Sequence, residues 1–200
     1  MTQQQSPYYR TQLSTKISLQ PSQIGYDMDD HILTNLKIKV EKKTNEYGYV
    51  ISVIRLISYG YGSIDKVNFM GVTEIPVVYE CFICSPVAGM NIVCKYTDIV
   101  KGIIINYNGP MVIIVEINRI DFKKFEIREK EIFNVEENKP LPFGSLLKVS
   151  VVNITHNLGE SNINILGKLV NVPTLAEEEE YKRDQLLFTG GTHGDEDIFI

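Results

Sequence analysis

Three cysteines and three histidines are the side chains here with the widest chemical reach, so their spacing is the place to begin. Cys81-Phe82-Ile83-Cys84 has the Cys-x-x-Cys spacing of half a zinc site. It lies inside VVYECFICSP, which reads as a β-strand, and on a strand positions i and i+3 point to opposite faces. Cys94 stands apart, and His31, His156 and His193 are scattered through unrelated segments, so no second pair completes four ligands. An odd cysteine count argues against a disulfide framework. Buried structural thiols are expected, with no metal and no cofactor. A hydrolase or nuclease would need a Ser-His-Asp arrangement, a phosphate-binding glycine loop or carboxylates at metal spacing, and none is legible.

A different kind of site is suggested by Tyr59-Gly60-Tyr61-Gly62. The glycines let backbone approach a partner closely, and the tyrosines supply amphipathic anchors. An ordinary loop with surface tyrosines would have the same composition.

The elements that must position these residues fall into two halves. Residues 1–12 are polar and are expected to be disordered. Leu13–Pro21 alternates Leu13, Thr15, Ile17 and Leu19 on one face, a strand ended by proline. Asp29 or Asp30 is expected to cap a helix whose apolar stripe is Ile32, Leu33, Leu36 and Val40. Tyr47–Gly60 and Glu74–Pro86 read as long strands. Together these make an α+β domain over 13–88, one helix on a small antiparallel sheet.

Past Pro86 and Gly89 the pattern changes to short strands at close spacing, in NIVCKYTD, KGIIINY, GPMVIIVEI, SLLKVSVVNITHN and NINILGKLV. Five such strands over 89–175 predict a small closed barrel. Its centre is the hairpin 101–115, where Asn108-Gly109 is expected to supply the positive φ values of a tight turn and Pro110 to start the next strand. Ile103, Ile105 and Tyr107 face one way and Ile104 and Asn106 the other. Both faces are largely apolar, so each is expected to be covered, one by the barrel interior and one by a neighbouring domain or subunit. The charged stretch 121–142 between the third and fourth strands is expected to be a solvated face. From residue 176 an acidic helix and tail follow, with Thr174 and Glu177 as a capping box and Gly190-Gly191 as the stop.

Charge and composition narrow the class. The chain has 200 residues and a net charge of -5, and residues 176–200 hold 8 acidic and 2 basic side chains, so the body is nearly neutral. Such a body lacks the strong field of a protein that grips nucleic acid unaided. No apolar stretch approaches the roughly 20 residues of a membrane span, and the start has no signal-peptide pattern, so a non-secreted setting with no membrane partner is expected. Alanine occurs only at Ala88 and Ala176, while Ile, Asn and Lys are abundant, the coding bias of an AT-rich genome.

Set side by side, the two halves resemble the seventh subunit of RNA polymerase II and its counterpart in the stalk of archaeal RNA polymerase, from about Leu13 to Val172. The residues that carry the resemblance are ISLQPSQIG (17–25), YGYVISVI (47–54), YGSI (61–64), Tyr79, Pro86, Gly89 and NGPMVIIV (108–115). It implies a non-catalytic stalk subunit of a multisubunit DNA-dependent RNA polymerase. Residues 13–88 become a tip domain that plugs into the core through Tyr59, Gly60, Tyr61 and Gly62. Residues 89–175 become an OB-fold barrel near nascent RNA. The implied partners are the polymerase core subunits, a fourth-subunit-like protein and the transcript. The implied roles are stabilising the clamp and supporting initiation.

Large DNA viruses carry such subunits, which would place the chain in infected-cell cytoplasm and the virion; a cellular version would be nuclear. Two departures stand out. Cys94 occupies a glycine position of the family, and Ile103 and Ile104 stand where aromatic groups would stack on bases. The remaining candidates for RNA are Tyr96 and Tyr107 as stackers and Lys95, Lys101, Lys123 and Lys124 as phosphate contacts. The alternative is a free-standing OB-fold protein that binds single-stranded RNA, which predicts salt-sensitive binding by the isolated chain.

Overall fold

The computed structural model describes residues 6–64, 71–128, 131–135 and 138–188. Within them the chain divides into two compact units: 6–86 with 156–163, and 87–155 with 164–188.

The first unit is an antiparallel sheet with one helix on it. Its strands are β1 (Tyr8–Leu19), β2 (Lys43–Asn45), β3 (Gly48–Tyr59), β4 (Ser63–Ile64) and β5 (Thr73–Cys84), and its helix is α1 (Met28–Val40). The sheet order is β1-β5-β3-β2, with β4 also on β5. Because β1 occupies one edge of β5 along its whole length, β3 and β4 share the other, as one strand interrupted at Gly60–Gly62. β1 begins at Tyr8, five residues before the expected Leu13, because Tyr8 stacks on Phe82 and is buried with it. Residues 8–12 are thus ordered strand; 1–5 lie outside the described residues.

The α1 stripe packs as its spacing requires. Ile32 and Leu36 are fully buried with Ile17, Leu19, Ile75, Val77, Tyr79, Cys81 and Ile83, and Leu33 and Val40 flank them. The N-cap is Asp27 rather than Asp29 or Asp30, which fall in the first turn, where they complement the helix dipole. The helix also guards the edge of β1. Asn35 Nδ2 donates to Ser18 O at 3.0 Å, and Lys39 Nζ donates to Lys16 O. An unpaired strand edge invites pairing with other chains, so these bonds blunt it. At the opposite edge, Thr44 N donates to Glu160 O at 2.8 Å and Gly159 N to Thr44 O at 2.9 Å. That is why 156–163 belong to this unit.

The second unit holds the closed barrel β6 (Asn91–Val100), β7 (Ile103–Asn108), β8 (Met111–Glu116), β12 (Leu146–Thr155) and β13 (Ile163–Asn171), all five strands near their expected positions. The order around it is β12-β13-β8-β7-β6, closed by β6 on β12. Every other neighbouring pair is antiparallel, so β13 and β8 run parallel, as an odd strand number demands. Ile104, Met111, Ile113, Val115, Leu147, Val149, Ile165 and Leu169 fill the buried side. Gly167 is required there, since a Cβ would fall 2.2 Å from Val149 Cγ1.

The charged insert is more ordered than a solvated face. It forms a three-stranded sheet of β9 (Phe125–Arg128), β10 (Glu131–Asn134) and β11 (Lys139–Leu141), with Phe125 and Ile132 fully buried. Its short Phe-x-Ile and Ile-x-Asn alternations bury one face while the charges occupy the other.

Helix α2 (Leu175–Phe188) closes the described chain, and the Gly190-Gly191 stop lies outside the described residues. Thr174 N donates to Glu177 Oε2 at 2.9 Å, half of the expected capping box. Glu177 also accepts from Lys148 Nζ on β12. Burial pushes the Glu177 carboxyl up, but the Lys148 and Thr174 hydrogen bonds and the Lys148 charge more than offset this and hold it below its ordinary value. A depressed folded value means that the link stabilises fully above the unfolded carboxylate range of about 4.3 and is lost as pH falls through the folded value. Glu177→Gln should therefore cost about 1–2 kcal/mol near pH 7. In thermal melts, the difference between variant and parent should start to shrink as pH falls below about 4.3 and vanish once pH is below the folded value.

Candidate interaction surfaces

One end of the first unit's sheet collects the ends of β1 and β3, the start of β5, and β4, which continues the line of β3 along β5. Gly60 N donates to Pro76 O at 2.9 Å, and Gly62 lies so close to β5 that a Cβ would meet Thr73 Cγ2 at 2.3 Å. The two glycines let the segment hug β5 and throw its aromatic side chains outward. Tyr61 is fully exposed, whereas Tyr59 is half-exposed, its hydroxyl donating to Asp29 Oδ1 at 2.7 Å. That carboxylate raises the Tyr59 phenol above its ordinary value by hydrogen bond and by charge. Ile64 on β4 and Ile24 and Tyr26 in the β1–α1 connection are exposed as well, at 60 %, 47 % and 103 %. These last three were not singled out from sequence. Their signal was an apolar residue inside a glycine- or proline-punctuated stretch, which is common in any loop.

The second surface is the outer side of the barrel hairpin. β7 alternates as expected: Ile104, Asn106 and Asn108 are buried, while Ile103 and Tyr107 are exposed at 38 % and 44 %. The tight turn is Gly109-Pro110, with Gly109 at φ +54°, and Asn108 closes β7 instead of sharing the turn. Asn108 faces inward because its Nδ2 donates to Val93 O at 2.7 Å and its Oδ1 accepts from Gln185 at 2.8 Å. The outer face was expected to be covered. Among the described residues nothing of this chain covers it: Val100, Lys101, Ile103, Ile105, Tyr107, Val112 and Ile114 line an open groove of about 300 Å³.

The candidate RNA residues separate sharply. Lys95 pairs with Tyr107 across β6 and β7, so both stand on the open side, and Lys101 rims the groove. Tyr96 pairs with Asn106, is fully buried, and stacks on Phe143 with ring centroids 5.1 Å apart. Burial takes Tyr96 out of the set that can meet a base. Its phenol is pushed up to about 12 by burial and by the charges of Asp98 and Glu131. Lys123 and Lys124 stand in the turn before β9 and are not among the residues that line the groove.

The thiols behave as core groups. Cys81, Cys84 and Cys94 are free and buried. Burial, with the Glu80 charge, pushes Cys81 up to about 11, and burial raises Cys94 further. A thiol reagent at pH 8 should label the native protein only slowly and all three cysteines quickly after denaturation, because the thiolate is the reactive form. Rapid labelling of Cys81 or Cys94 in native protein would contradict this. Among the described residues no three His, Cys, Asp or Glu side chains gather as metal ligands, and no helix is long and apolar enough to cross a membrane.

The two units thus present exposed apolar side chains at one sheet end of the first and on one barrel face of the second. No family model matches the sequence. A protein of Acanthamoeba polyphaga mimivirus, named as a DNA-directed RNA polymerase subunit, is 42 % identical over 197 residues, covering 98 % of this chain and 99 % of its own length. The chain belongs to that family of DNA-directed RNA polymerase subunits.

Proposed function

We propose that the chain is the stalk subunit of a multisubunit RNA polymerase, related to the seventh subunit of polymerase II and its archaeal counterpart, without catalytic residues of its own. The first unit is the tip that docks on the core through Tyr59–Gly62. The barrel, whose strands follow the 1-2-3-5-4-1 order, is an OB-fold, and the chain pairs with a fourth-subunit-like protein. In that position it steadies the clamp, supports initiation and meets the transcript weakly. Given its relative, it acts in infected-cell cytoplasm and travels in the virion.

The observation that carries the reading is the sheet end. Five large apolar side chains, Ile24, Tyr26, Tyr59, Tyr61 and Ile64, are exposed there; the unit's other exposed ones, Tyr9, Ile38, Tyr47, Ile54, Ile57 and Leu158, stand on other elements or further back along β3. Such a group of aromatic and aliphatic anchors is what a protein–protein contact centres on. The test is the subunit inventory, by mass spectrometry, of a native complex isolated through a tag on this chain. Recovery of the two large polymerase subunits and a small helical partner at equal stoichiometry is the expected result. Recovery of the chain alone would overturn it.

The open barrel face favours the alternative to this extent: OB-folds bind oligonucleotides on the outer face of their second and third strands, here β7 and β8. A free-standing RNA-binding protein would bind single-stranded RNA by itself with a steep salt dependence. The stalk reading expects weak binding by the isolated chain.

A further inference from the structure

We infer that the groove on the outer side of β7 and β8 is occupied, in the free protein, by the chain's own acidic tail, with Ile198-Phe199-Ile200 on the apolar lining and Asp195-Glu196-Asp197 beside Lys95 and Lys101. Three observations converge on this occupant. The groove is apolar along its floor, from Ile103, Ile105, Val112 and Ile114, and carries positive charge at its margin from Lys101, with Lys95 next to Tyr107. The tail has the matching order, three acidic residues followed directly by three large apolar ones. No other stretch of the chain outside the described residues combines those features.

Reach is the third observation. Gln185, one turn before the end of α2, donates to Asn108, the neighbour of Tyr107 at one end of the groove. The nine residues 189–197 separate Phe188 from Ile198. At about 3.3 Å per residue they span up to roughly 30 Å, whereas β7 from Ile103 to Asn108 is only about 20 Å long. That length is enough to pass round the end of β7 and run along much of the groove, and the short tether raises the tail's local concentration far above that of a free competitor. The bond from Gln185 to Asn108 ties the helix to the inward side of β7 at its Asn108 end, so the tail would reach the groove by passing round that end of the strand.

The consequence for function rests on the RNA reading above. A tail seated there covers Tyr107 and the β7–β8 face, so the isolated protein is shielded from stray nucleic acid, and a transcript must displace the tail to reach the barrel.

Disulfide trapping tests the contact without depending on RNA. Val112→Cys in the groove is combined with Ile198→Cys in the tail, against native thiols that are buried and poorly reactive. Mild oxidation of full-length protein should form an intramolecular disulfide. Adding Phe199→Ser and Ile200→Ser, which cannot disturb the barrel fold, should slow its formation at least tenfold. An unchanged rate would overturn the inference, because it would mean random collision of a tethered chain. A disulfide joining two chains would also overturn it, in favour of a second copy as occupant. A chain ending at Phe188 should bind labelled oligouridylate at least fivefold more tightly than the full chain in low salt. Equal, measurable affinities would refute the shielding. If neither form binds, the RNA reading fails and the trapping result alone decides the contact.

Discussion

Replacing Tyr59 and Tyr61 together by Ala should release the chain from the polymerase core while leaving its fold intact. Tyr61 is fully exposed and Tyr59 nearly half-exposed, so neither truncation opens a cavity. What the fold loses is one surface hydrogen bond, from Tyr59 to Asp29. Anchor tyrosines at the centre of an interface are commonly worth about 2 kcal/mol or more each. The pair should therefore weaken association by a factor on the order of 1,000, enough to strip the protein from the complex during a tagged purification. Tyr59→Phe is the control, since it removes the Asp29 bond and keeps the ring. It should co-purify normally. A melting temperature within a few degrees of the parent, with normal co-purification of the double alanine variant, would remove the tip from the interface.

Gly62 makes the same point about the backbone. Gly62→Val keeps both tyrosines but drives a side chain into Thr73, 2.3 Å from where its Cβ must go. The segment would have to lift off β5, moving Tyr61 and Ile64 with it. Reduced docking by that variant, with both rings present, would separate the position of the anchors from their chemistry.

Much of the fold was legible because each half buries one face of regular elements. Period-two alternation in β1 and β5, and the Ile32, Leu33, Leu36, Val40 stripe of α1, describe one sheet face and one helix face, which sequence records directly. The five barrel strands were legible for the same reason. What was hidden depends on contacts between residues far apart in the chain. Residues 156–163 read as a polar turn between two barrel strands; nothing local shows that Thr44, more than 100 positions earlier, holds their backbone. The β9–β11 insert is dominated by charge, so the burial of Phe125 and Ile132 is visible only once its three strands pair. Asn108 misled because Asn-Gly is a strong turn signal, yet its side chain is buried, donating to Val93 on β6 and accepting from Gln185 on α2. The candidate site was legible as a list of residue types but not as exposures. Tyr96 and Tyr107 look equivalent along the chain, and only the register of β6 on β7 sends one inward and one out.

That contrast supplies the second large effect. Tyr96→Ala and Tyr107→Ala remove the same atoms from one barrel and should fail in opposite assays. Tyr96 is fully buried against Phe143, and its backbone N–H and C=O pair with Ser145 and Gly144, so its ring fixes the insert's return to the barrel. Truncating a buried aromatic costs about 3–5 kcal/mol. For a unit of this size that lowers the melting temperature by roughly 10 °C or more. Tyr107 stands on the open face and should cost the fold little. If a base stacks on it, its loss should weaken single-stranded RNA binding by about 1–3 kcal/mol, or roughly 5- to 150-fold, with the melting temperature nearly unchanged. Thermal melts and RNA titrations of both variants, in chains ending at Phe188 so that the tail cannot interfere, read out the two effects independently. Should Tyr107→Ala leave RNA binding intact, the outer face is not a stacking platform, and its apolar lining serves protein contact alone.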